Sequence, residues 1–101
     1  MPSMNLSVPH QLGADEAKRR ITSLIEKSRS QFGGMITDVE ETWNGNEGKF
    51  RLRAMGFPLS GTVTALPSEV RIQVDYPLAA LPFKGRVEGE LNRKARELLA
   101  G

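Results

Sequence analysis

The stretch that decides the fold is "KFRLRAMGFPLSGTVTALPSEVRIQVDY", Lys49–Tyr76, in which three runs alternate polar and apolar residues. Alternation of this kind is typical of β-strands with one buried face, because successive side chains point to opposite sides of a sheet. The runs are separated by "GFP" and "PS", which are rich in residues that favour turns. The stretch therefore predicts three consecutive antiparallel strands.

Two further strands are predicted on the N-terminal side of this stretch. The segment "ITDVEETW" (36–43) alternates in the same way, and "NGNEG" (44–48) follows it as a hairpin signal. This strand and the three strands of Lys49–Tyr76 would together form a four-stranded meander. Close to the N-terminus, "MNLSV" (4–8) alternates over a shorter length and predicts a strand of its own.

Helical spacing replaces alternation in two other segments. Between residues 14 and 31 the apolar residues recur at helical intervals, which predicts an amphipathic helix that begins after Gly13 and ends at the double glycine 33–34. The segment "LPFKGRVEGELNRKARELLAG" (81–101) shows similar spacing and predicts a second amphipathic helix.

The order of these elements predicts a fold class. A β-α-β-β-β-β-α order over residues 1–101 indicates a single α+β domain of two layers, in which an antiparallel four- to five-stranded meander sheet carries two helices on one face. The apolar residues that we expect in its core are Ile21, Leu24, Ile25, Phe32, Phe50, Leu52, Val63, Val70, Ile72, Val74, Val87, Leu91 and Leu98.

Composition excludes several classes of function. The chain has no cysteine, which removes disulfide frameworks, thiolate nucleophiles and zinc–thiolate sites. The formal net charge of +2 is small for 101 residues and gives poor support for nucleic-acid binding. The N-terminus lacks the pattern of a secretory signal, and no apolar run is long enough to span a membrane, so we expect a cytoplasmic protein.

His10, in "VPHQL" (8–12), is the only histidine and so the first residue to consider for catalysis or metal binding. No nucleophile motif surrounds it, and one histidine with scattered carboxylates does not make a metal site of recognisable spacing. We therefore interpret His10 as a structural residue at the turn between the first strand and the first helix. We expect no enzymatic activity, no metal and no cofactor.

A basic strip is predicted on the open face of the sheet. Asp38 and Glu40 share that face with the arginines of the neighbouring strand, so cross-strand ion pairs are the favoured interpretation of these carboxylates. Alternation places the aromatic residues on the other face, which disfavours a nucleic-acid partner, since single-strand binders stack bases on aromatic side chains. The strip consists of Lys49, Arg51, Arg53 and Arg71.

Two hypotheses for a binding site remain. In "MGFPLSG" (55–61) and "YPLAALPF" (76–83) large apolar residues stand next to turns. They would either close the core or, where a small domain leaves them unburied, form a contact surface. The residues of this surface are Phe57, Leu59, Leu78, Leu81 and Phe83. The alternative is a pocket between the sheet and the helices, for an acyl or other hydrophobic ligand or for an enzymatic reaction, near Glu41, Trp43 and Tyr76.

Four segments follow one another in a recognisable succession: "PHQL" (9–12), "DEAKRRITSLIEK" (15–27), "GKFRLRAMGFPLSGTVTAL" (48–66) and "EVRIQVDYPLAALPFKGRVEGELNRKARELL" (69–99). This succession resembles the bacterial family of polyhydroxyalkanoic acid system proteins, also described as polyhydroxyalkanoate granule-region proteins. The resemblance implies a cytoplasmic accessory or binding protein associated with storage granules, with the granule surface or a granule protein as partner, and it supplies no catalytic residue. We also expect a homodimer, because a small open sheet leaves edges and apolar turns to cover.

Overall fold

The computed structural model describes residues 2–32 and 36–100, apart from the side chains of Ile25, Ser28, Arg29, Gln31 and Phe32. The predicted helix end at the double glycine 33–34 and two of the predicted core side chains lie outside this part. The elements follow the order β-α-β-β-β-β-α, which confirms the predicted α+β fold. They are β1 (Ser3–Pro9), α1 (Ala14–Phe32), β2 (Ile36–Asn44), β3 (Glu47–Ala54), β4 (Phe57–Ala65), β5 (Glu69–Asp75), a 3-10 helix (Leu78–Phe83) and α2 (Lys84–Leu99).

The strands form one antiparallel sheet in the order β1-β5-β4-β3-β2. β2 to β5 make the predicted meander, and β1 adds to its far side by pairing with β5, so that Met4 lies opposite Val74 and Val8 opposite Val70. Both helices cover the same face: α1 packs on β4 and β2, α2 packs on β1, and the helices contact each other. The predicted two-layer arrangement is therefore present.

Two of the three turns of the meander are tighter than predicted. β2 and β3 are joined by two residues, of which Gly45 has a φ of +62°. β3 and β4 are joined by Met55 and Gly56, with φ of +54° and +84°. Two-residue turns with positive φ match the twist of antiparallel strands, so the pairing continues up to each turn. β3 therefore begins at Glu47 and β4 at Phe57, in both cases earlier than alternation indicates.

Burial is uneven across the sheet. The large buried side chains come from β1, β4, β5 and the helices, whereas the apolar side chains of β2 and β3 are at most half-buried. Most of the core prediction is confirmed, because six of its members are buried and three more pack half-buried against them. The buried ones are Ile21, Leu24, Val63, Val70, Ile72 and Val74, and the half-buried ones are Phe50, Leu91 and Leu98.

Val87 does not belong to the core, and this prediction is wrong. Its side chain is 39% exposed. The buried residues of α2 are Ala95 and Leu99, both in the second half of the helix. In the first half, a Cβ added at Gly85 or Gly89 would meet nothing within 4 Å. The first half of α2 therefore runs along solvent, although its apolar spacing continues the core stripe.

Two glycines make room for aromatic rings on the covered face of the sheet. Phe50 lies opposite Gly61, where an added Cβ would come within 2.6 Å of the ring and would overlap the carbonyl oxygen of Gln73. Trp43 covers Gly48 in the same way, at 2.7 Å. Glycine inside a strand often marks such a close approach. The two rings thus fill space on the side of the sheet that the helices cover least.

We expect the two glycines to respond differently to substitution. Gly61→Ala should lower the free energy of unfolding by about 3 kcal/mol, also in a Phe50→Ala background, because the Gln73 carbonyl still blocks the new Cβ. Gly48→Ala should cost about 1–3 kcal/mol alone and much less with Trp43→Ala, since only the indole obstructs it. Double-mutant cycles measured by urea denaturation check both statements. A Gly61→Ala cost that vanishes with Phe50→Ala would contradict this geometry.

His10 ties the connection between β1 and α1 to the turn between β4 and β5. Its backbone N–H donates to the carbonyl oxygen of Ser68 at 3.0 Å. The ring Nε2 lies 3.0 Å from the carbonyl oxygen of Leu66, which can only accept, so Nε2 carries the proton. Nδ1 accepts from the N–H of Leu12 at 3.1 Å. Both ring nitrogens of this buried side chain are thus committed to backbone groups, as the structural interpretation of His10 requires.

His10→Ala should lower the free energy of unfolding by about 1–3 kcal/mol, because it leaves the Leu12 N–H and the Leu66 carbonyl without their partner. Gln11→Ala, at the exposed neighbouring position, is the matched control and should change stability by less than about 0.5 kcal/mol. Urea denaturation of both variants makes the comparison. Equal stability of the two would show that the imidazole does not hold this connection.

Candidate functional site

The large apolar side chains that stay exposed collect at one end of the molecule, which we call the apolar tip. Three segments meet there: the β3–β4 turn, the 3-10 helix and the start of α2. The rings of Phe57 and Phe83, 6.2 Å apart between centroids, join the first segment to the other two. The tip consists of Met55, Phe57, Leu78, Leu81, Phe83 and Val87, of which only Phe57 is half-buried.

The 3-10 helix turns its leucines outward because a small residue anchors it. Tyr76 is buried and its backbone N–H bonds to the N-terminal segment, which fixes the end of β5. Pro77 is extended, and its carbonyl accepts from the N–H of Ala80 at 2.9 Å. Ala80 is the buried residue of this helix, so Leu78 and Leu81 face away from the core. The exposed leucines thus belong to a helix whose position is fixed by the buried Tyr76 and Ala80.

The predicted contact surface is present only in part. Leu78, Leu81 and Phe83 are exposed at the tip, and Phe57 lies at its rim against Phe83. Leu59 instead packs half-buried against the core, because alternation along β4 points it under the helices. Sequence reasoning missed the part played by α2, since the spacing of its apolar residues is that of a core stripe throughout.

Met55 occupies a backbone conformation that a methionine seldom adopts. It is the first residue of the two-residue β3–β4 turn, has φ of +54°, and is 69% exposed. Asparagine, aspartate and glycine are preferred there, because other L-residues crowd the carbonyl oxygen at positive φ. Methionine at this position therefore costs stability and contributes no core packing in return.

Two cations follow the apolar residues of the tip. Lys84 and Arg86 occupy the first turn of α2, which has no acidic residue and no side-chain cap. Within the described part of the chain neither cation has an ion pair or side-chain hydrogen bond. Glu88 is the next carboxylate along the helix, and Glu90 is paired with Arg93 at 2.9 Å. The end of α2 nearest the tip thus carries two cations that form no ion pair in the described part of the chain, with Glu88 and Glu90 one helical turn further on.

The residues of the alternative pocket do not come together. Trp43 lies opposite Gly48 beside the β2–β3 turn, where its indole N–H donates to the Glu41 carboxylate and the Lys18 ammonium stands 5.0 Å from the ring centroid. Tyr76 is buried beyond the end of β5, near the other end of the sheet and on the far side of two strands. The three side chains therefore line no common space.

The arginines of the basic strip are neutralised by carboxylates on the same open face. One of these carboxylates, Glu69, pairs with Arg71 and also accepts a hydrogen bond from the Ser7 hydroxyl at 2.6 Å. This hydrogen bond, and then the Arg71 guanidinium, hold the pKa of Glu69 below its ordinary value, so that it stays charged near neutral pH. The ion pairs are Arg51 with Glu40 (4.0 Å), Arg53 with Asp38 (3.8 Å) and Arg71 with Glu69 (2.9 Å).

Two shallow hollows, of about 300 and 360 Å³, lie on this open face. Polar residues such as Thr62, Gln73 and Ser60 line them together with apolar ones such as Leu6 and Leu52. They lie on the side of the sheet away from the helices, and thus not where the pocket hypothesis would place a ligand. Their chemistry resembles that of an ordinary solvated sheet face.

Metal-binding clusters and membrane-spanning helices are both missing from residues 2–32 and 36–100. No three histidine, aspartate or glutamate side chains in that part gather so that they could hold a metal ion. Neither of its long helices is apolar enough to cross a bilayer.

Fold and tip together define a small two-layer α+β domain with one apolar end. The sequence model of the family described as "Putative polyhydroxyalkanoic acid system protein" matches residues 4–99, and the chain belongs to this family, as the resemblance predicted. No curated protein matches the chain. The chain is also similar to a solved structure, that of TTHA0849 from Thermus thermophilus, with 15% identity and a TM-score of 0.45, over 97% of this chain and 92% of that one. A likeness this loose adds nothing on function.

Met55→Asn should raise the free energy of unfolding by up to about 1 kcal/mol, because asparagine tolerates positive φ better than methionine. Ser68→Asn in the β4–β5 turn, where φ is not positive, is the matched control and should give no such gain. Thermal or urea denaturation measures both. A Met55→Asn protein that is less stable than wild type would mean that the methionine side chain supports the fold.

Proposed function

We propose that this chain is a small, non-enzymatic accessory protein of bacterial polyhydroxyalkanoate storage, and that its apolar tip binds the surface of the storage granule in the cytoplasm. The observation that carries the proposal is the position of the exposed large apolar side chains. Those of the described residues, from Met55 to Val87, all belong to the tip. Membership in the polyhydroxyalkanoic acid system family supports the storage polymer as the partner.

Clustering distinguishes the tip from ordinary surface. Single exposed apolar residues are normal on soluble proteins, whereas contiguous ones mark contact sites. Burying what remains exposed of each tip side chain would contribute about 1 kcal/mol. The sum over the five exposed tip residues is partly offset by the entropy lost on binding, so the tip supports reversible rather than permanent attachment.

The state of the polar side chains supports binding over catalysis. A general base needs a free nitrogen or oxygen near its substrate, and both ring nitrogens of His10 are bonded to backbone groups. The carboxylates of Asp38 and Glu40 face arginines on the exposed side of the sheet. No catalytic step is therefore assigned to this chain.

Co-sedimentation with polyhydroxybutyrate particles tests the proposal. We expect wild type to sediment with the polymer and Leu81→Asp with Phe83→Asp to bind roughly tenfold less, because two exposed apolar contacts are lost and two charges are brought against an apolar surface. A second double variant, Leu78→Asp with Leu81→Asp, should reduce binding to the polymer by a similar factor while leaving the contact between the Phe57 and Phe83 rings intact. The control, Asn5→Asp with Gln73→Asp, adds the same charge to the open face and should bind like wild type.

Circular dichroism must show that all variants are folded. Equal binding by wild type and both tip variants would contradict the proposal, and so would a wild type that does not sediment with bare polymer. If wild type is a dimer that the tip substitutions dissociate, and it does not bind polymer, a second copy occupies the tip and the proposal is wrong.

A further inference from the structure

Positive charge borders the apolar tip on one side. Lys84 and Arg86 directly follow Phe83, and no acidic residue occurs from Leu78 to Val87. Arg86 is exposed and Lys84 is half-buried. The tip therefore presents apolar side chains and cations side by side.

Helix stability does not explain these cations. Backbone N–H groups at a helix N-terminus carry partial positive charge, so carboxylates stabilise that end and cations destabilise it. α1 of the same chain follows the rule, with Asp15 and Glu16 in its first turn. α2, which continues directly from the 3-10 helix with the Lys84 N–H donating to the Leu81 carbonyl oxygen, has Lys84 and Arg86 and no carboxylate in its first turn.

The cations lie between apolar side chains and carboxylates along α2. Leu81 and Phe83 precede Lys84 and Arg86, Val87 follows directly, and the carboxylates begin at Glu88, about 6 Å along the axis from Lys84 and about 3 Å from Arg86 at the usual helical rise. Apolar groups followed by cations are the arrangement with which peripheral proteins enter a lipid interface, because acyl chains lie below the headgroup phosphates.

We propose that the apolar tip binds an anionic lipid–water interface, with its apolar side chains among the acyl chains and Lys84 and Arg86 at the headgroup phosphates. This rests on the proposed function, in which the tip is the contact surface, and adds that the tip binds an anionic lipid coat more tightly than it binds bare polymer. A neutral polyester offers the two cations no partner, whereas anionic headgroups do.

Vesicle flotation tests the inference. We expect wild type to bind vesicles of phosphatidylcholine mixed with phosphatidylglycerol much better than vesicles of phosphatidylcholine alone, with a difference that shrinks as salt is added. Lys84→Gln with Arg86→Gln should bind the anionic vesicles roughly 20-fold less, at about fivefold for each charge. The control, Lys49→Gln with Arg51→Gln, removes the same charge from the open face and should bind like wild type.

A single variant separates binding from folding. Arg86→Glu places a carboxylate in the first turn of α2, so its thermal midpoint should not fall below that of wild type while its binding to anionic vesicles is lost. If Arg86→Glu binds like wild type, the inference is wrong.

The remaining outcomes are distinct. Equal binding of wild type to both kinds of vesicle, or an equal loss in the control variant, overturns the inference. A wild type that sediments with polyhydroxybutyrate particles but floats with neither vesicle overturns the inference and leaves the proposed function standing. A wild type that binds neither material overturns both.

Discussion

β1 pairs with β5 across all of α1 and the first three strands of the meander, from Ser3 opposite Asp75 to Pro9 opposite Glu69. Closing so long a loop costs chain entropy, although the cost grows slowly with length, and the pairing must offset it. The backbone hydrogen bonds between β1 and β5 offset this cost together with the burial of Val8 and Val70, which lie opposite each other and are fully buried. α2 packs on β1, and α1 begins just after it, so neither helix would have its place on the sheet without this pairing.

Because the helices are organised by β1, they cover the β1–β5–β4 side of the sheet better than the β3–β2 side. Large aromatic side chains fill part of the remaining space, and they fit only because Gly61 and Gly48 lie beneath Phe50 and Trp43. The β3–β4 turn and the first half of α2 lie outside the covered region. The apolar tip is therefore a consequence of where the helices end, and its exposed side chains are positioned by the same packing that forms the core.

Much of this could be predicted from the sequence, because alternation fixes both the strands and the face that each residue occupies. Alternation did not predict the tight turn at Met55, since methionine is not a residue type that favours positive φ. The six-residue 3-10 helix has no period to detect in a proline-broken apolar run. For the site, turns and prolines marked Leu78 and Leu81 as residues that either close the core or form a contact surface, and the structure leaves both exposed. Trp43 and Tyr76 were grouped wrongly, because a shared face does not fix the position along the sheet, which depends on register.

Three features of the tip each work against stability. Met55 holds positive φ, Lys84 and Arg86 oppose the dipole of α2, and large apolar side chains remain in water. Elsewhere in the described chain, glycine occupies the first position of the β2–β3 turn, carboxylates stand at the start of α1, and the other non-glycine residue at positive φ is Asp38, a type that tolerates it. Local rules are most often broken where a protein makes its functional contacts, because selection there acts on binding as well as on folding. The three departures differ in origin and share one end of the molecule, so the contact proposed for that end would account for all of them together.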